Sequence, residues 1–112
     1  MKKITVIVQP GKFENIKKRL IKSGVNGMTV SNCEGFGIQK RKVESLKEQE
    51  LSIEFLPKVK IEMILKDEEY AGIIDTVIDE ARTGRIGDGK IFVSAIDEAV
   101  RIRTGEKNED AL

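Results

Sequence analysis

Residues 58–66 read KVKIEMILK, and this stretch decides the fold class. Every second side chain is apolar, and the intervening side chains are mostly charged. Alternation with a period of two places the two sets on opposite faces of a β-strand. The segment therefore predicts a strand with one face in the core, formed by Val59, Ile61, Met63 and Leu65.

The chain after this strand predicts a helix followed by more strand. Asp67 is a typical N-cap residue, and Gly84 is a typical helix end. Between them, apolar side chains recur at helical spacing at Tyr70, Ile74, Val77 and Ala81. Residues 90–95 (KIFVSA) predict a strand, residues 96–100 a short turn of helix, and residues 100–104 another short strand.

The same order of elements occurs before the strand. Residues 2–8 predict a strand rich in β-branched residues, residues 12–23 an amphipathic helix, and residues 27–37 a second strand. Two β-α-β units in tandem predict an α+β, ferredoxin-like fold, an antiparallel sheet with both helices on one face. Apolar side chains on the other face, such as Ile7 and Ile64, suggest an oligomer.

Composition limits the chemistry that the chain can perform. A length of 112 residues predicts one domain, residues 1–112, and a net charge of +1 argues against a nucleic-acid binder. The sequence has no histidine, which excludes Ser-His and Cys-His catalytic pairs and Cys/His zinc sites. Cys33 is the single cysteine, so no internal disulfide can form and a cytoplasmic location is expected. No apolar run is long enough for insertion into a membrane.

Residues 38–57 join the two units and are unusually long for a connection, since such connections commonly have about four to six residues. The stretch is rich in charge and has no glycine. Two interpretations remain open, a solvated excursion or marginal helix and a flexible loop that recognises a partner.

Residues 83–90 (TGRIGDGK) carry three glycines followed by a lysine. Glycines let backbone N–H groups approach an anion closely, and Lys90 adds positive charge. The run nearly matches a P-loop, but Ile91 replaces the Ser/Thr that would bind Mg²⁺, and a helix precedes it where a P-loop requires a strand. The stretch predicts a phosphate-binding loop of another kind, and a glycine-rich turn without a ligand remains the alternative.

Arg101 and Arg103 are two residues apart, so on the predicted strand they share a face. Guanidinium groups suit phosphate, and with Lys90 they predict a clamp of three cations. The alternative is that the arginines pair with surface acids such as Glu98 or Glu106.

Five segments also resemble a known family in order and spacing: GMTVS (27–31), GFGIQK (35–40), FLPKVKIE (55–62), ARTGRIGDGKIFV (81–93) and EAVRIRTGE (98–106). By these segments the chain resembles the PII family of nitrogen-regulatory signal-transduction proteins over essentially its whole length. The resemblance implies a homotrimer of ferredoxin-like subunits with ATP or ADP in each cleft between subunits.

The resemblance also assigns positions to the ligands. The nucleotide phosphates would be surrounded by Gly35, Gly37, Gly87, Asp88, Gly89, Lys90, Arg101 and Arg103. The adenosine would be lined by Ile7, Thr29, Glu62 and Ile64. The effector 2-oxoglutarate would bind beside ATP through Mg²⁺ held by the side chain of Gln39, with Lys58 pairing with its distal carboxylate.

The function implied is that of a non-catalytic sensor in the cytoplasm. Ligands would bias the conformation of the loop 38–57, which controls a target such as an ammonium channel at the membrane or a nitrogen-assimilation enzyme. Leu51 stands where many bacterial members carry a modified tyrosine, which predicts no tyrosine nucleotidylation. Ile38 replaces an arginine that is common in the family, and Arg41 replaces a glycine. The alternative is a small ATP-dependent enzyme, a phosphotransferase or ATPase, that uses residues 83–90.

Overall fold

The computed structural model describes residues 1–37 and 54–112. Along the chain its elements are β1 (Lys2–Val8), α1 (Phe13–Lys22), β2 (Thr29–Gly35), β3 (Leu56–Leu65), α2 (Tyr70–Ala81) and β4 (Gly89–Ala95), with 3-10 turns at Pro10–Lys12 and Asn108–Ala111. Most of the predicted loop 38–57 lies outside the described residues. Its last two residues, Leu56 and Pro57, begin β3.

The four strands form one sheet in the order β2-β3-β1-β4, and every neighbouring pair is antiparallel. This is the strand order of two interleaved β-α-β units, so the predicted ferredoxin-like fold is confirmed. The sheet has two ends. Val8 and Gly89 are paired at one end, which we call the glycine-loop end, and Lys2 and Ala95 are paired at the other, which we call the far end.

The core lies between one face of the sheet and the two helices. Alternation along β1 and β3 buries every second side chain, as the sequence predicts, and the helices contribute the apolar stripe that faces them. The core residues are Ile4, Val6, Val8, Ile16, Leu20, Val25, Val59, Ile61, Met63, Leu65, Ile73, Val77 and Ala81. The opposite face, called here the open face, is covered by no element within the described residues.

Strand register fixes how residues of the open face line up. Ile7 of β1 is aligned with Lys60 of β3 on one side and with Lys90 of β4 on the other. One row toward the far end, Glu62 of β3 is opposite Thr29 of β2. Same-face rows are about 6.6 Å apart, so these side chains form two neighbouring rows of the open face.

The predicted start of α2 is wrong. The helix begins at Tyr70, and Glu69 at the N-cap makes no side-chain capping bond. Asp67 instead accepts a hydrogen bond from the Met1 ammonium at 2.9 Å, because pairing of Lys2 with Leu65 brings the two groups together. The charged donor holds the pKa of Asp67 below its usual value.

The helical turn predicted at 96–100 and the strand predicted at 100–104 are also absent. Residues 100–107 form a tight reversal, which we call the C-terminal turn, closed by a bridge between Val100 and Lys107. The Arg101 N–H donates to Glu106 O at 2.9 Å, and Gly105, with φ of 73°, lets the chain turn back. The segment therefore bonds to itself instead of joining the sheet. No helix in the described ranges is long and apolar enough to cross a membrane.

Candidate functional site

Residues 83–90, the glycine loop, connect the end of α2 to the start of β4 at the glycine-loop end of the sheet. The predicted order, helix before loop and strand after it, is confirmed. Gly84, Gly87 and Gly89 have φ values of 82°, 101° and 112°, a region that side chains disfavour. The glycines are thus required by the path of the loop.

Gly89 is where the loop passes closest to the sheet. A Cβ added at this position would lie 1.8 Å from the Ile7 carbonyl oxygen. No rearrangement of a flexible side chain can relieve that contact, because the obstructing atom belongs to the backbone of the central strand β1. The absence of a side chain at Gly89 therefore lets β4 begin in close contact with β1.

Asp88 has its carboxylate turned into the loop. It accepts hydrogen bonds from the backbone N–H of Thr83 at 2.7 Å, from the Thr83 hydroxyl, and from the backbone N–H of Gly84 at 3.0 Å. These donors, with the Thr83 hydroxyl foremost, lower the pKa of Asp88, so the group is ionised at neutral pH. The sequence placed Asp88 among the nucleotide-binding positions, and in the structure its side chain organises the loop.

Two side chains anchor the loop from the neighbouring strands. Lys58 Nζ and Gln9 Nε2 each donate to the Gly87 carbonyl oxygen at 3.1 Å. The sequence did not indicate Gln9, since a lone polar residue between a strand and Pro10 shows no pattern.

The structure brings six of the predicted ligand-binding positions together at the glycine-loop end of the sheet: Ile7, Gly35, Lys58, Gly87, Gly89 and Lys90.

An open groove of about 970 Å³ lies at the far end, between the start of β2, the end of β3, the first half of α2 and the C-terminus. Three of the positions predicted for adenosine, Thr29, Glu62 and Ile64, line it together. Lys3 Nζ lies 2.8 Å from Glu62 and lowers its pKa, so Glu62 presents an anion that is already paired.

The predicted clamp of Lys90, Arg101 and Arg103 does not form within one chain. Lys90 lies at the glycine-loop end, whereas both arginines belong to the C-terminal turn beyond the far end of β4. Ala95 lies five residue steps along the strand from Lys90, about 17 Å. Because the arginines lie in a turn, they also do not share a strand face.

Arg101 instead has partners in its own neighbourhood. Its guanidinium donates to Glu106 Oε1 at 2.9 Å and to the Leu112 carbonyl oxygen at 3.4 Å. Pairing with Glu106 was the alternative that the sequence left open. Leu112 also lines the far-end groove, so Arg101 contacts one residue of its lining, while Arg103 is exposed.

Several predicted positions lie outside the described residues. These are Gln39, predicted to hold Mg²⁺ and 2-oxoglutarate, and the variable positions Ile38, Arg41 and Leu51. Within 1–37 and 54–112 there is no cluster of three or more carboxylate or cysteine side chains suited to a metal. Among the described residues, the rings of Phe36 and Phe55 pack edge-on with centroids 4.9 Å apart.

The fold and this site define the chain as a ferredoxin-like α+β domain with a lysine-flanked glycine loop at one end of its sheet. Residues 1–106 match the family model described as Nitrogen regulatory protein P-II. The chain is 50% identical over 112 residues to the Nitrogen regulatory protein P-II of Mesorhizobium japonicum, with both sequences fully covered. It is 46% identical over 112 residues to the proteins of that name from Microchaete diplosiphon and Haemophilus influenzae, again with full coverage.

The chain therefore belongs to the P-II family of nitrogen regulatory proteins. Membership assigns it a role in nitrogen-regulatory signalling, and the relatives it matches are named as regulators.

Proposed function

We propose that the protein is a non-catalytic sensor that binds ATP or ADP between copies of itself and reports the result through residues 38–57. The observation that carries this proposal is the separation of the predicted phosphate ligands. Lys90 and the glycine loop lie at one end of the sheet, and Arg101 and Arg103 lie beyond the other. A site that uses both sets needs two chains, with the C-terminal turn of one placed against the glycine loop of the next.

The surfaces left exposed support assembly into a homotrimer. Phe92 on the open face is 55% exposed, and Ile102, between the two arginines, is 99% exposed. Contiguous exposed apolar patches commonly mark interfaces, and in a trimer these side chains would form parts of the covered surface. In a closed ring, each subunit contributes the same two patches, one to each neighbour, so every cleft is equivalent.

The proposed effectors are 2-oxoglutarate and Mg²⁺, bound beside ATP. Lys58 supplies an ammonium group next to the glycine loop, which suits a carboxylate of the effector. Gln39 would supply an oxygen ligand to Mg²⁺. Their combined occupancy would shift the conformations of residues 38–57 and so control a target in nitrogen metabolism, such as an assimilation enzyme or an ammonium channel to which this cytoplasmic protein is recruited.

Mixed assemblies provide the sharpest test. Arg101→Ala/Arg103→Ala chains and Lys90→Ala/Gly87→Ala chains are each expected to lose ATP binding in calorimetry. Co-assembled in equal amounts, they should regain wild-type affinity in about a quarter of the clefts, because one neighbour supplies an intact loop and the other intact arginines. A site contained in one chain would regain none, and that result would refute the proposal.

Sensing is tested by calorimetry with ATP and ADP, with and without Mg²⁺ and 2-oxoglutarate. We expect 2-oxoglutarate to bind only when ATP and Mg²⁺ are present, and ADP not to support it. No nucleotide binding at tens of micromolar would exclude a nucleotide sensor. The alternative, an ATP-dependent enzyme using this loop, would need a base there, and the only carboxylate of the loop, that of Asp88, is engaged by Thr83 and Gly84.

A further inference from the structure

In the glycine loop, the side chains of Thr83 and Asp88 hydrogen-bond to each other and to nearby backbone N–H groups, an arrangement that we call the clasp. It divides the backbone N–H groups of the loop into two sets. The Thr83 hydroxyl donates to Asp88 Oδ1 and accepts from the Arg85 N–H at 3.1 Å. Asp88 Oδ2 accepts from the N–H groups of Thr83, at 2.7 Å, and Gly84, at 3.0 Å. The N–H groups of residues 83–85 are therefore all used inside the loop.

The second half of the loop is different. No acceptor within the described residues receives the N–H groups of residues 86–88. Gly87 has a φ of 101°, and a positive φ within a short loop is one element of the backbone concavities that bind anions through successive N–H groups.

The orientation of the Asp88 N–H is fixed through the carbonyl group of the same peptide. Lys58 and Gln9 both donate to the Gly87 carbonyl oxygen at 3.1 Å. In a planar trans peptide the N–H points away from the carbonyl, so fixing Gly87 O also fixes the direction of the Asp88 N–H. The loop is thus held at two points, the clasp at its start and the anchored peptide near its end.

We propose that Thr83 is a positioning residue for phosphate binding. Together with Asp88 it holds the N–H groups of residues 83–85 inside the loop. The N–H groups of residues 86–88 then remain for the phosphates of the nucleotide. This inference rests on the proposed function, since it deepens the role of the same loop. Thr83 itself does not touch the ligand. Pre-oriented N–H groups bind an anion without reorganisation, so loss of the clasp reduces affinity for the phosphates specifically.

The test combines a measurement on the wild type with a pair of variants. In ¹⁵N-edited spectra of the wild type, ATP should shift the amide signals of Ile86, Gly87 and Asp88 much more than those of Thr83, Gly84 and Arg85. Thr83→Val, which removes only the hydroxyl, should weaken ATP and ADP binding about tenfold. Thr83→Ser restores the hydroxyl and should bind within about threefold of the wild type.

A purely structural role for Thr83 would give a different pattern. Adenosine, which has no phosphate, should bind Thr83→Val and the wild type equally, whereas general damage to the site would weaken both ligands. Asp88→Asn, which removes the charged acceptor of the clasp, should weaken ATP binding as Thr83→Val does, whereas Asp75→Asn, the same change at an exposed position of α2, should bind ATP normally.

The outcomes separate the inference from the proposed function. Absence of any ATP-induced shift in the wild type overturns the proposed function and the inference together. ATP binding with the largest shifts at residues 83–85, or with Thr83→Val equal to the wild type, overturns the inference alone. Shifts concentrated at residues 86–88, with Thr83→Ser near the wild-type affinity and Thr83→Val weakened for ATP but not for adenosine, support it, and the wild-type shifts do not depend on how well the valine variant folds.

Discussion

The Lys58 ammonium donates a hydrogen bond to the Gly87 carbonyl oxygen across 3.1 Å and so connects β3 to the glycine loop. The same group is the proposed partner of an effector carboxylate. A carboxylate is a stronger acceptor for an ammonium than a neutral carbonyl is. Because an ammonium group has three donors, Lys58 could hold the Gly87 carbonyl oxygen and an effector carboxylate at once, which would couple the effector to the loop proposed to bind the nucleotide.

Lys58→Gln is predicted to reduce 2-oxoglutarate affinity by about tenfold to a hundredfold, because a charge-assisted hydrogen bond is lost. ATP affinity should fall less, since Gln9 still anchors Gly87. Calorimetry with ATP held saturating measures both. Lys60→Gln, one same-face position along β3, is the matched control, and an equal effect of the two substitutions would argue against this role for Lys58.

Gly89→Ala is predicted to destabilise the fold by about 3–5 kcal/mol, through overlap with Ile7 O together with the cost of a positive φ. Gly84→Ala is the matched control, because Gly84 also has a positive φ, 82°, but an added Cβ would meet nothing within 4 Å. It should cost only about 1–2 kcal/mol. Urea unfolding at equal protein concentration compares the two, and equal losses would show that steric contact with β1 is unimportant.

Glu62→Gln is predicted to remove a pH-dependent contribution to the free energy of unfolding. Lys3 holds the pKa of Glu62 below its ordinary value, so the ionised pair stabilises the fold above the unfolded-state pKa, about 4.3. That contribution is lost as the pH falls through the lower folded-state pKa. Melting temperatures of wild type and variant should differ at pH 7 and converge in acid.

The comparison needs a control carboxylate. Glu68 is exposed and takes part in no ion pair among the described residues, so Glu68→Gln should track the wild type at every pH. A wild type that loses no more stability than Glu62→Gln on acidification would contradict the assigned role of Lys3.

Glu106→Gln is predicted to tighten ATP binding about two- to fivefold. Arg101 is paired with Glu106 at 2.9 Å in the free chain, and it must leave this exposed partner to contact a phosphate in the cleft of a neighbour. An exposed ion pair contributes at most about 1 kcal/mol, which sets the upper limit of the gain. Glu98→Gln, a second acid close to the C-terminal turn, is the control, and unchanged or weaker binding by Glu106→Gln would show that Arg101 does not switch partners.

Local patterns predicted most of the architecture. The alternation in residues 58–66 identified which side chains of β3 are buried, and the stripe on α2 identified Val77 and Ala81. The sequence-based predictions were wrong where a side chain binds a residue that is distant in the sequence. Asp67 binds the Met1 ammonium and not the N-terminus of α2, and no pattern within the helix reveals a contact 66 residues away.

The sequence by itself determined the strand faces, the two β-α-β units and the glycines that the loop requires, because each depends on neighbouring residues and on backbone freedom. Only the tertiary structure decided that Lys90 and Arg101 lie at opposite ends of the sheet and that Asp88 faces inward. The reason is geometric, since β4 runs the length of the sheet before the C-terminal turn begins. Residues that are close together in a linear motif are therefore separated by the strand between them, and a site that used both sets would require a second chain.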